Sequence, residues 1–166
     1  MESSERAFLK TPIGYLEING SSKGISSINF LRFPVRIKYI PHHLKDCIHQ
    51  LNEYFDGNRR EFDLPLDLEG SPFQLKVWNE IRRIPFGHTI TYGELAKRVG
   101  EPGATRAVGG ANGQNPVPVI IPCHRVIGTD GRLTGYGGGL KKKKWLLEHE
   151  NALKQMDLFS FTKKRK

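Results

Sequence analysis

With 166 residues, the chain has room for one ordinary domain or two small ones. Its 37% hydrophobic and 10% aromatic content suffices for a packed core. No run of 18 apolar residues is present to cross a membrane, and the first residues, MESSERAFLK, lack the basic and apolar regions of a secretory signal. A soluble protein, cytoplasmic and nucleoid-associated or nuclear in a eukaryote, is the expectation. The formal charge is +9 and unevenly spread: residues 1–69 carry 9 Lys+Arg against 10 Asp+Glu, residues 70–166 carry 17 against 7. A polyanion such as nucleic acid would meet the second half. Eight of those charges come from Lys141 to Lys144 and from Lys163-Lys164-Arg165-Lys166, for which solvated surface charge is the plainer reading. Two cysteines are too few for a disulfide framework, so Cys47 and Cys123 are read as free thiols, available as nucleophile or ligand.

In chain order, Ala7 to Leu9, Gly14 to Ile18 and Ile25 to Phe33 read as strands, broken by Thr11-Pro12, Asn19-Gly20 and Pro34. His43 to Phe55 reads as an amphipathic helix with Leu44, Ile48, Leu51 and Phe55 on one face, ended by Gly57-Asn58. Gly70-Ser71-Pro72 marks the boundary, giving a first domain over 1–69, a second over 70–154 and a basic tail over 155–166. Pro72 suits the first turn of a helix after Ser71 as N-cap, and Phe73, Val77, Trp78 and Ile81 mark its inner face. Thr91 caps a short helix with Leu95, Ala96 and Val99 facing inward; after Glu101-Pro102-Gly103 a second, small-residue helix passes through Ala104, Ala107 and Ala111. Two short helices joined by a glycine-containing turn are the form of a helix-turn-helix, although such a pair also arises from plain packing.

Chemistry concentrates in Asn115 to Ile127, NPVPVIIPCHRVI. Pro116, Pro118 and Pro122 exclude helix for the residues before them and stiffen the backbone. A rigid apolar lead-in thus delivers Cys123 beside His124 and Arg125, and basic neighbours favour the reactive thiolate. A buried structural cysteine is the alternative reading of the same residues.

PCHRV at Pro122 to Val126, preceded by NPVP at Asn115 to Pro118, resembles the active-site signature of the O6-alkylguanine-DNA alkyltransferases. PFQLKVW (Pro72 to Trp78), IPFGHTITYGELA (Ile84 to Ala96), ATRAVGGAN (Ala104 to Asn112), GYGGGL (Gly135 to Leu140) and KWLLEHE (Lys144 to Glu150) follow in that family's order and spacing. The resemblance implies an α+β fold: a small N-terminal ribonuclease-H-like sheet-plus-helix domain, then a mostly helical, winged-helix-like domain with a helix-turn-helix. It implies direct-reversal DNA repair, in which O6-alkylguanine is flipped out of the duplex and its alkyl group passes irreversibly to Cys123 in one stoichiometric event. A non-catalytic reader of alkylated DNA is the alternative. A cysteine hydrolase is disfavoured, because adjacent residues rarely form a direct nucleophile–base pair.

The same resemblance implies residue roles. Cys123 is the acceptor, His124 takes its proton through a water, Glu150 orients His124, and Asn115 is a hinge asparagine. Tyr92 assists flipping and contacts the base. Arg106 fills the gap in the stack, while Ala104, Ala107 and Gly109 allow close approach to the minor groove of double-stranded DNA. Carbonyls of Cys123 and Val126, with the Tyr136-Gly137 loop, read the guanine edge; Gly137 stands where many relatives have serine. No metal or organic cofactor is implied, no membrane partner, and a monomer is expected. His42, His43, Cys47 and His49 cluster without reproducing the zinc-ligand pattern of some relatives, and read as partly exposed helix residues. Gln155 to Phe161 resembles a sliding-clamp-binding peptide.

Overall fold

A computed structural model describes residues 3–153. The chain forms two compact units, one from the start through Ser71 together with Pro116–Ile120, the other from Pro72–Asn115 together with the residues from Ile121 on. The five residues 116–120, inside the stretch expected to lie wholly in the second domain, cluster with the first.

The first unit holds an antiparallel sheet in the order β1 (Glu5–Thr11), β2 (Gly14–Ser21), β3 (Gly24–Phe30). Alternation buries Ala7, Leu9, Leu16 and Ile18 on one face, and Ile25 and Ile28, three apart, share it because Ser26 is an extra residue in β3. Asn19-Gly20 does not end a strand, as its composition suggests, but lies inside β2. The register shifts between these two residues, and the hairpin turns after Ser21 instead. Gly24 is obligatory there, with φ at +136° and Pro65 O only 2.5 Å from where a Cβ would stand. A 3-10 turn, His42–Leu44, leads into α1 (Lys45–Phe55), whose buried face carries Cys47, Ile48, Leu51, Tyr54 and Phe55. At the β3 edge, Ile25 N donates to Pro65 O, Asp67 N to Ile25 O, and Ile28 N to Pro116 O, each at 2.9 Å.

The second unit starts with α2 (Pro72–Arg82), where Pro72 occupies the first turn as its fixed φ favours. Then come β4 (Ile90–Thr91), α3 (Tyr92–Arg98), α4 (Thr105–Gly113), β5 (Val126–Ile127) and α5 (Leu140–His149). Thr91 caps α3, its hydroxyl accepting from Glu94 N at 3.1 Å. Trp78 Nε1 donates to Ala111 O at 2.8 Å, tying α2 to α4 through a buried bond. Strands β4 and β5 pair in parallel, Ile90 with Val126 and Thr91 with Ile127. Tyr92 follows β4 directly and lies within electrostatic reach of Cys123, which precedes β5. Among the described residues no helix is long and apolar enough to cross a membrane.

Candidate active site around Cys123

The lead-in is rigid and buried, as its prolines require. Val117, Val119, Ile120 and Ile121 are all inaccessible. Val119 sits at φ +73°, a left-handed conformation that costs a β-branched residue about 1–3 kcal/mol and that burial of its neighbours enforces. Ile121 O accepts from Cys123 N at 2.8 Å and from Asn115 Nδ2, also at 2.8 Å. Cys123–Arg125 then form a single 3-10 turn, closed by Arg125 N on Pro122 O. Asn115 therefore staples the start of the lead-in to its end, and its side chain also hydrogen-bonds Cys123.

Burial pushes the Cys123 thiol up to about 11, against the lowering effects of the Asn115 hydrogen bond and the Lys143 charge. At neutral pH it is a thiol. The expectation that basic neighbours hold it as thiolate fails for a geometric reason: His124 and Arg125 are both bonded to Glu150. Arg125 donates from Nε to Oε2 at 2.9 Å and from Nη2 to Oε1 at 2.7 Å, and from Nη1 to Ile84 O at 2.6 Å. Its guanidinium also lies 5.8 Å from the Phe86 ring centroid. Burial alone would raise the Glu150 carboxyl, but His124 and Arg125 outweigh it and hold it at about 2.

His124 is inaccessible, with Nε2 on Glu150 Oε1 at 2.9 Å. Burial lowers its pKa, the Glu150 charge opposing, and bidentate Arg125 compensates much of that carboxylate, so the ring stays neutral. A carboxylate can only accept, so the proton is on Nε2 and Nδ1 carries the lone pair. Nδ1 is buried without a hydrogen-bond partner. An imidazole held in this tautomer, with its basic nitrogen unengaged and a thiol on the preceding residue, is a general base in waiting.

Tyr92 donates from its hydroxyl to Thr134 O at 3.2 Å and also bonds the Asn112 side chain. Burial chiefly raises its pKa, so it keeps its proton. Gly109 faces the ring: a Cβ there would stand 3.8 Å from Tyr92 Cδ1. On α4, Arg106, Ala107 and Gly110 are exposed, Ala104 and Gly109 half-buried. In the loop before α5, Tyr136 is half-buried and Gly137 exposed. The carbonyl of Val126, expected to read a base, accepts from Lys143 Nζ at 2.7 Å.

Three contributors escape the sequence reading. Lys143, taken with Lys141 to Lys144 as solvated charge, is completely buried. The signal was available: Lys143, Leu146, Leu147 and Glu150 fall at helical spacing on one face of α5. Arg125 was assigned to the thiol, whereas it serves the carboxylate. Asn112, the last residue of the ATRAVGGAN block, has no role in that reading; it is buried on α4 with Oδ1 lacking a hydrogen-bond partner. In the first unit the histidine–cysteine cluster disperses: Cys47 is fully buried in the α1 core, not partly exposed, His49 pairs with Glu53 at 3.2 Å, and the His42 and His43 rings meet edge to face. The candidate clamp peptide, Gln155 to Phe161, lies outside the described residues.

Residues 6–68 match the ribonuclease-like domain of the 6-O-methylguanine DNA methyltransferases, and residues 72–152 match their DNA binding domain. Methylated-DNA–protein-cysteine methyltransferase of Mycobacterium tuberculosis is 45% identical over 158 residues, covering 92% of this chain and 96% of its own. The enzyme of that name from Methanosarcina acetivorans is 42% identical, over 88% and 97%. Among solved structures, M. tuberculosis O6-methylguanine methyltransferase superimposes with a TM-score of 0.82 at 42% identity, over 90% of this chain and 94% of that one. The M. tuberculosis protein in complex with DNA gives 0.80 at 46% identity, over 87% and 91%. Similarity at this level spans both units and every block of the Cys123 site: the chain belongs to the 6-O-methylguanine DNA methyltransferase family.

Proposed function

We propose that this protein repairs O6-alkylguanine in double-stranded DNA by direct reversal, moving the alkyl group onto its own Cys123 once and irreversibly. The observation that carries this reading is the buried thiol preceding a neutral histidine whose Nε2 is fixed on Glu150 and whose Nδ1 is unengaged. The proton of Cys123 passes to His124 Nδ1, through a water. Sγ then attacks the alkyl carbon, an S–C bond forms, and the C–O6 bond breaks with its electrons going to the purine. Guanine leaves after gaining a proton, for which the Tyr92 hydroxyl is the positioned donor, itself resupplied from solvent. The balance is complete without a redox partner: a thiol and an alkoxypurine become a thioether and guanine. Because a thioether resists hydrolysis, each molecule acts once.

A thiol at about 11 and a histidine below its ordinary value leave the proton on sulfur until substrate is present. That arrangement suits a single-use reagent, which must not be consumed by stray electrophiles. DNA is the partner, met through the α3–α4 helix-turn-helix. Exposed Arg106 and the small residues Ala104, Ala107 and Gly109 suit a narrow minor groove and a base turned out of the stack. Val126, Tyr136 and Gly137 line the base pocket, and a monomer suffices.

The test is the intact mass of the protein after incubation with duplex DNA containing O6-methylguanine. A gain of one methyl group, mapped to Cys123 and stopping at one equivalent, is expected, and Cys123→Ala should still bind DNA without transfer. Tight binding with no adduct on the wild type would instead identify a non-catalytic reader.

A further inference from the structure

Of the four consecutive lysines opening α5, only Lys143 turns inward, and it is wholly inaccessible. Burying an ammonium is costly unless every donor is satisfied. Here Nζ donates to Val126 O at 2.7 Å, Thr134 O at 2.8 Å and Gly135 O at 3.3 Å, three acceptors for three donors. All three are neutral carbonyls, and among the described residues no carboxylate pairs with it. Its positive charge is therefore solvated by backbone dipoles but not cancelled. The titratable groups facing it are Cys123 and His124 from the 3-10 turn and Tyr92 from α3, the Tyr92 ring centroid lying 5.9 Å from Nζ. Arg125 and Glu150, in the same unit, are engaged with each other. An uncancelled buried cation suits an anion that forms only during reaction, and Cys123 is the group whose charge and that of Lys143 act on each other.

The same three bonds join separate pieces of chain. Val126 O belongs to β5, Thr134 and Gly135 to the loop before Tyr136, and Thr134 O accepts from Tyr92 as well. We propose that Lys143 is a positioning residue for alkyl transfer, its ammonium fastening the Thr134–Gly135 backbone to β5 beside Tyr92 while supplying the charge that stabilises the Cys123 thiolate. Burial also loosens its own proton, to about 8, with the Cys123 charge opposing the loss. Lys143 is therefore still mostly a cation at neutral pH, and a thiolate forming at Cys123 would hold its proton more firmly.

This assignment rests on the alkyl-transfer reading, and one experiment separates the two. Wild type, K143M and K143R are compared as full chains, with iodoacetamide as a probe of thiolate, alkylation being mapped to the Cys123 peptide apart from Cys47. Each is also given duplex DNA containing O6-methylguanine at neutral pH. In K143M the pH of half-maximal Cys123 reactivity should rise by about one unit, and methyl transfer should fall ~10-fold or more. K143R, which keeps the charge, should hold that pH within a few tenths of a unit of wild type. A folded K143M with unchanged thiol reactivity and unchanged transfer overturns the assignment. Should K143M not fold, a folded K143R whose thiol midpoint rises by about a unit overturns it too. Loss of folding in both would make the residue purely structural and have the same force. Failure of the wild type itself to acquire a methyl group would instead remove the alkyl-transfer reading.

Discussion

Arg125 and Glu150 form a buried bidentate ion pair, with Nε on Oε2 at 2.9 Å and Nη2 on Oε1 at 2.7 Å, and the same Oε1 meets His124 Nε2 at 2.9 Å. The pair frees His124 from acting as the carboxylate's counter-ion, and so keeps it neutral and basic. Arg125→Met would leave Glu150 charged, buried and dependent on His124 alone. Loss of one partner of such a pair costs about 3–5 kcal/mol, measurable by urea unfolding at neutral pH. In whatever folds, His124 should hold its proton to higher pH, and the acid limb of the alkyl-transfer rate should move upward. An acid limb unmoved in folded Arg125→Met would count against this division of labour.

Glu150 also makes a prediction about acid. Its folded value of about 2 lies below its ordinary 4.5, so its contribution is complete above the unfolded value and disappears as pH falls from about 5 to 2. At ~1.4 kcal/mol per unit the contribution is about 3 kcal/mol. Stability of the wild type should decline through that window. Glu150→Gln should be weaker at neutral pH yet show a flatter acid decline, and parallel curves for the two proteins would refute the assignment.

On α4 stability and DNA engagement should separate. Arg106 is exposed, so Arg106→Ala should leave the melting temperature unchanged. It should lower transfer from duplex DNA while sparing reaction with a free O6-alkylguanine base, because only the former requires extrusion. Gly109→Ala adds a Cβ in ordinary contact with Tyr92, at 3.8 Å. A mid-helix Gly→Ala change stabilises by about 0.5–1 kcal/mol. A rise in melting temperature with a fall in DNA affinity would identify a glycine retained for groove approach; affinity that is unchanged would remove that role.

Thr91 sits at the head of the helix that opens with Tyr92. Thr91→Ala deletes the hydroxyl that accepts from Glu94 N, at a cost of about 0.5–2 kcal/mol. Since the cap sets the first turn of α3, alkyl transfer should fall alongside, and Thr91→Ser should restore both. Calorimetry and single-turnover transfer on the two variants check this.

What the sequence revealed, and what it hid, follows from the range over which each interaction acts. Pro72 in a first turn, Thr91 as a cap and the Leu44, Ile48, Leu51 stripe are local rules, and all are seen in the fold. Asn19-Gly20 misleads because pairing overrides its usual turn meaning: both residues have partners in β3, Ser27 and Ile25, and the irregularity falls on Ser26 between them. Arg125 was misassigned because adjacency in sequence says nothing about direction on a 3-10 turn. Its partners, Ile84 and Glu150, are 41 and 25 residues away. Lys143 was hidden in a run of identical charges, where the period of the flanking leucines, not the charge, tells which lysine is inside. The basis for Asn112 lies wholly in three dimensions, in the hydroxyl of Tyr92.

Pro116 to Ile120, shortly before Cys123, are part of the fabric of the N-terminal unit. Pro116 O takes the Ile28 amide of β3, and Val117 to Ile120 are buried. Cutting the chain at Gly70 would consequently not release a self-sufficient reactive half. The severed fragment would carry an apolar arm, the strained Val119 within it, with its anchorage removed directly upstream of Cys123. Any transplant of this chemistry onto a foreign N-terminal domain must therefore bring a replacement strand edge for Pro116. Modularity in this protein ends one peptide bond after Asn115 and resumes at Ile121.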